Sequence, residues 1–123
     1  MQLNLLKSKL HRAEVTDLSL NCEGSLALDL TLMDLVGLRE FEHILIDIMA
    51  DGQRFETYTI PALSGSGTIS LNGATAKLGS RSDLRTITSF AVGDEREIAT
   101  WIPRIAIPPE TKPEFVKSTP ASA

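Results

Sequence analysis

The chain has 123 residues, enough for one domain around one core. Hydrophobic residues make up 42% and charged residues 23%, and with one Trp, one Tyr and four Phe the core must be mostly aliphatic. The net charge of −4 counts against a nonspecific nucleic-acid binder. No apolar run reaches the roughly 18 residues of a membrane span, and no membrane partner is expected. The opening MQLNLLKSKLHR is too short and too polar for a secretory signal. Cys22 has no second cysteine to pair with, and these features together suggest the cytoplasm. His11, Cys22 and His43 lack zinc-ligand spacing, so no metal is expected.

In chain order, residues 2–10 read as a strand, and Glu14 to Cys22 alternates as a second. After Ser25, LALD continues in strand character. Asp29 is a suitable N-cap for a short helix from Leu30 to Val36, with Gly37 as its stop. His43 to Ala50 has a β period: Ile44, Ile46 and Ile48 share one face, and His43, Leu45, Asp47 and Met49 the other. Asp51-Gly52 is a hairpin turn signal. The returning strand is Gln53 to Ile60, and Pro61 is expected to stop regular pairing. Thr68 to Leu71 reads as a strand before an Asn72-Gly73 turn, and Leu84 to Val92 as another. Asp94 caps a short helix that runs to Trp101. Five of the six prolines fall in residues 103–123, which suggests a surface tail that ends in disorder. The sum is one β-rich domain over residues 1–102, with six or seven short strands and one or two short helices. Such a small sheet resolves its edges by closing into a barrel.

Between two alternating runs stands Glu23-Gly24-Ser25. A serine hydroxyl can attack the carbonyl before it and exchange the amide for an ester. Glycine at that position makes the necessary backbone twist cheap, because it has no Cβ to clash. Removal of the serine α-proton then eliminates the ester and breaks the chain between residues 24 and 25. The new N-terminal dehydroalanine hydrolyses to a pyruvoyl group with loss of ammonia. Its ketone can form a Schiff base with an amino acid and accept the electrons left when CO2 departs, the part pyridoxal phosphate plays elsewhere. Gly-Ser alone also fits an ordinary bulge or turn.

Four blocks, this one among them, decide between these. KLHR at 9–12 with Val15-Thr16, EGS at 23–25 with Asp29, GQRFETY at 52–58 and ISLNGATA at 69–76 stand in one order and spacing. In them the chain resembles the pyruvoyl-dependent aspartate 1-decarboxylases over roughly its first 100 residues. The resemblance implies a six-stranded double-psi β-barrel and a homotetramer with sites between neighbouring subunits. It implies a cofactor made from Ser25, without PLP or metal. The reaction would convert L-aspartate to β-alanine for pantothenate biosynthesis. Residue by residue, it implies that Ser25 becomes the pyruvoyl group, and that Thr57 polarises the Gly24 carbonyl during cleavage. Tyr58 would return a proton after CO2 leaves. Arg54 and Lys9 would meet the substrate carboxylates, and Gly73, Ala74 and Thr75 would bind substrate through a turn. Asn72 and His11 would line the same pocket. The chemistry suits the residues: a guanidinium forks onto a carboxylate, and a phenol holds its proton until a carbanion takes it. In a regular strand, however, Arg54 and Tyr58 point to one face and Thr57 to the other. A twist, a bulge or a second subunit must reconcile them.

The chain also departs from the family. Cys22 stands where a tyrosine is usual, and Thr75 where alanine is usual. Residues 79–87 lack the family's Gly-Asp and apolar strand, and Arg85 would need an outward face. Substrate choice is therefore open to a related acidic amino acid, and an uncleaved, non-catalytic binding or assembly subunit is the remaining alternative. Cys22 itself reads as a small buried hydrophobe.

Overall fold

The computed structural model describes residues 1–19, 25–49, 52–72 and 84–108. The fold is mainly β. Eight strands form one continuous sheet: β1 Gln2–Glu14, β2 Asp17–Ser19, β3 Ser25–Asp29, β4 His43–Ile48, β5 Arg54–Ala62, β6 Ile69–Asn72, β7 Leu84–Asp94 and β8 Arg104–Ala106. Their spatial order is β2-β6-β3-β5-β4-β7-β1-β8. The count exceeds the expected six or seven because β8, three residues long, adds at one edge from a segment expected to be tail.

Alternation explains the core. The register aligns Leu10 with Ile87, Ile87 with Ile46, and Ile46 with Phe55. Leu10, Ile46 and Ile87 are fully buried, and Phe55 packs against them. Leu26, Leu28, Ile69 and Leu71 continue this layer across β3 and β6, and Met33 and Val36 of α1 (Leu30–Val36) cover it. A buried Leu or Ile is worth about 1.5–3 kcal/mol, so this aliphatic layer is the main source of stability.

Three sequence expectations need correction. The strand expected from Glu14 to Cys22 is broken: β1 ends at Glu14, and a separate β2 begins at Asp17. The cause is Thr16, whose backbone N–H and hydroxyl both reach the Ile69 carbonyl while its hydroxyl accepts the Ile69 N–H. The chain thereby leaves β7 and pairs in parallel with β6. Pro61 does not stop pairing, since β5 runs on to Ala62 beside β3. The β5–β4 ladder ends at the pair Tyr58–His43, so Pro61 needs a ladder on one side only and its missing N–H costs little. Finally, Arg85 does not face outward and is 1% exposed. Strand parity with the core residue Ile87 turns it inward, and its partner on β1 is the small Ala13. One of its terminal nitrogens donates to the Leu84 carbonyl.

The helices follow their caps. Gly37, at φ 76°, ends α1 in the left-handed conformation, and the Leu38 N–H closes on Met33. The buried Ser8 hydroxyl donates to the carbonyl of Val36, tying the helix end to β1. Asp94 caps the expected second helix, a 3-10 helix over Glu95–Thr100, in a capping box with Glu97. After it, Trp101 donates its indole N–H to the Leu6 carbonyl at 2.6 Å, and β8 pairs in parallel with β1.

Asp29 does more than cap α1. Its carboxylate accepts the N–H groups of Thr31, Gly65 and Gly67 at 2.8, 2.9 and 2.8 Å, and the residue is only 4% exposed. Burial pushes its pKa up, but the bonds from Gly67, Gly65 and Thr31 outweigh this and hold it below the ordinary 3.8. Because the folded pKa is depressed, the stabilisation is complete above the unfolded value and is lost as pH falls through the folded one. Asp29→Ala should cost about 2–3 kcal/mol in urea unfolding at pH 7, from a lost cap and lost charge-assisted bonds. The gap to the parent chain should narrow below pH 4. An unchanged urea midpoint would contradict this role.

Candidate active site

Ser25 opens β3 and is 3% exposed. It pairs with Asn72 across the antiparallel β3–β6 ladder. The Asn72 amide donates to the Ser25 hydroxyl at 3.1 Å, and its carbonyl oxygen accepts from the Ser70 hydroxyl at 3.1 Å. Three neutral polar side chains thus form a buried relay, with the amide orientation fixed by both partners. On the other side of β3, Leu26 pairs with Thr59 of β5. One step back along that parallel register, Ser25 is level with Tyr58. Leu26 and Thr59 belong to the buried side, so Ser25 and Tyr58 belong to the other.

The remaining side chains lie along that same outer side of four strands. Arg54 pairs with Asp47, Asp47 with Thr86, and Thr86 contacts the Nδ1 of His11 at 3.3 Å. The next row is Glu56, Leu45, Thr88 and Lys9. Tyr58 follows, paired with His43 and tilted against Phe41 at a ring separation of 6.4 Å. Thr57 pairs with the buried Ile44, on the core side. The strand parity expected for Arg54, Thr57 and Tyr58 therefore stands in the fold. Gly24, Cys22, Gly73, Ala74 and Thr75 lie outside the described residues.

His11 owes its position to a bulge. Between the Leu10–Ile87 and Ala13–Arg85 pairs, β1 spends two residues, His11 and Arg12, against the single Thr86. Arg12 takes the extra step at φ 59°, a conformation uncommon outside glycine. The bulge restores the core parity of Ala13 while keeping His11 with Lys9 on the outer side. Burial lowers the His11 pKa from 6.5, and the neighbouring Lys9 and Arg12 charges lower it further. At neutral pH its ring is uncharged and can accept or donate one hydrogen bond.

Sequence reasoning missed Asp47, Ser70 and Thr86. Ser70 could have been found from its i, i+2 relation to Asn72. Asp47 was hidden by the turn. A two-residue Asp51-Gly52 loop would set Met49 against Arg54. Instead the Ile48 N–H bonds Gln53 O at 2.8 Å and the Gly52 N–H bonds Ile48 O at 2.9 Å, so the connection is longer and Arg54 meets Asp47. Asp47 and Arg54 form an ion pair with 2.9 Å between Nε and Oδ1.

A buried hydroxyl at a strand start stands level with a phenol, and beside them runs a strip with charges of both signs, Lys9 and Arg54 against Asp47 and Glu56. The family model described as aspartate decarboxylase matches residues 1–113. An aspartate 1-decarboxylase of Methylococcus capsulatus is 46% identical over 105 residues, covering 85% of this chain and 83% of that protein. One from Alkalilimnicola ehrlichii is 52% identical over 98 residues, 80% of this chain and 78% of its own length. One from Pseudothermotoga lettingae is 48% identical over 103 residues, 84% and 88% respectively. The chain belongs to the aspartate decarboxylase family.

The His11 environment is directly testable. Lys9→Met removes one of the charges that disfavour imidazolium, so the His11 titration midpoint in ring-proton NMR should rise toward 6.5 and stay below it. His43 is the only other histidine, and a His43→Gln background separates the two signals. A midpoint that does not move would show that Lys9 is not beside His11 in solution.

Proposed function

We propose that this chain is a self-processing decarboxylase that converts L-aspartate to β-alanine and CO2 and so supplies pantothenate biosynthesis. The observation that carries this reading is the buried Ser25 hydroxyl, held by Asn72 and level with Tyr58 on the side that bears Lys9, His11 and Arg54. A pyruvoyl group derived from Ser25 fits this position. Ser25 is buried, and Asn72 already offers an amide donor to the oxygen at the serine side chain. When formed, the group supplies a ketone for the substrate amine and an electron sink for decarboxylation.

The chain's own residues take the other parts. Thr57 polarises the Gly24 carbonyl when the Ser25 hydroxyl attacks it. The guanidinium of Arg54 and the ammonium of Lys9 hold the two carboxylates of L-aspartate and fix which bond is cleaved. Tyr58 delivers a proton to the carbon that CO2 leaves. His11 and Asn72 line the pocket, and the backbone of Gly73, Ala74 and Thr75 binds substrate. Neither PLP nor a metal takes part.

Thr57 and Tyr58 belong to opposite sides of β5, and the charged strip is spread over three strands. A site shared between neighbouring subunits of a homotetramer resolves this. The outer side supports such an assembly: Phe41 is 68% exposed, Phe90 46% and Val92 67%. The domain is the six-stranded double-psi barrel of residues 1–102, with β2 as a short addition and β8 at the start of the 103–123 tail. The lone thiol favours the cytoplasm.

Intact mass spectrometry of purified protein should find two fragments, residues 1–24 and 25–123, the larger with a blocked N-terminus. The processed protein should form β-alanine from L-aspartate without added PLP. Ser25→Ala should abolish both cleavage and turnover. A single uncleaved mass together with turnover of aspartate would sink the reading.

A further inference from the structure

We propose that Asp47 is a resident competitor for Arg54 and sets how tightly the site takes a dicarboxylate. This rests on reading Arg54 as a carboxylate-binding side chain. Asp47 and Arg54 are direct partners on β4 and β5, with 2.9 Å between Oδ1 and Nε. The two ends of the pair are unequal. The Asp47 side chain is 28% exposed and the Arg54 side chain 69%. The acid is therefore the anchored member, and the cation is the one that reaches into solvent.

The geometry has a chemical consequence. A guanidinium presents five N–H donors along its edges, and a carboxylate uses two of them. Asp47 Oδ1 stands 2.9 Å from Nε yet has no hydrogen-bond partner among the described residues, so Asp47 opposes Arg54 by charge and takes none of these donors. An incoming carboxylate meets a cation whose charge is offset by an acid already in contact. On the described part of this strip the cations that could meet two carboxylates are Arg54 and Lys9, and Asp47 opposes the first of them. Glu56, the other acid in the neighbouring row, is engaged by His43 at 3.1 Å. Asp47 thus acts through Arg54 and weakens the hold on an acidic substrate before and during reaction alike. Such uniform weakening raises KM and leaves kcat alone.

The test compares the processed full-length protein with Asp47→Asn and Asp47→Ala, using succinate, a dicarboxylate without a reactive amine, as the calorimetric probe. Both variants should bind succinate about two- to fivefold more tightly, the range expected for an exposed ion pair. The KM for L-aspartate should fall by the same factor, with kcat within about twofold. Arg54→Ala should weaken succinate binding and erase the effect of Asp47→Asn in the double variant. Unchanged or weaker succinate binding in both Asp47 variants overturns the proposal, as does succinate binding that is indifferent to Arg54→Ala. The two readings fail separately. Tightened binding in a protein that neither cleaves nor decarboxylates would leave the Asp47 role standing and remove the decarboxylase. Normal turnover with an unmoved Kd would do the reverse.

Discussion

Side-chain alternation across β5, β4, β7 and β1 is the constraint on which the rest depends. One side of these four strands carries Leu10, Ile87, Ile46 and Phe55, and the apolar layer fixes the register because a slip by one residue would turn every one of them outward. Once that side is fixed, the other is fixed with it. His11, Lys9, Asp47, Arg54 and Tyr58 come to share a surface without any contact that selects them directly. The polar site is positioned by the core behind it.

The bulge at His11–Arg12 shows how closely this constraint binds. A regular β1 could not keep Leu10 and Ala13 both inward, since they are three residues apart. The extra residue at Arg12 resolves the parity, at the cost of a left-handed backbone step of about 1–3 kcal/mol. Arg85 carries the other cost. Its guanidinium is taken from water opposite Ala13, where strand parity leaves it no alternative. Burying a charge is expensive unless it is well bonded, and the Leu84 carbonyl is one of its acceptors. Both features lie on the β1–β7 pair beside the charged strip, where irregular backbone commonly serves a site.

Much of this was legible in the sequence, for reasons that can be named. The helix Leu30–Val36 was bounded by its own caps, Asp29 and Gly37, which act locally. The faces of β4 followed from the period of HILIDI, and the opposition of Thr57 to Tyr58 from the same rule. What could not be read depended on distant partners. Thr16 breaks a well-alternating run because Ile69 lies 53 residues away. Pro61 survives in a strand because β4 has already ended beside it. The Asp47–Arg54 pair turned on two residues of loop length, which shift a hairpin register without changing its turn signal. Asp29 was legible as a helix cap, but only the fold brings it the N–H groups of Gly65 and Gly67 as well.

The same separation of local from distant information bears on how the site divides its labour. Among the described residues, the side chains of the Ser25–Asn72–Ser70 relay are neutral and buried: a hydroxyl, an amide and a second hydroxyl. The charged groups stand on the half-exposed strip. Placing Lys9 or Arg54 at the buried end would strip a cation of water at a cost of several kcal/mol. A sheet that keeps neutral polar side chains at the β3–β6 end and charge across β5, β4 and β1 avoids that penalty. The same division explains why no single strand can hold the whole site.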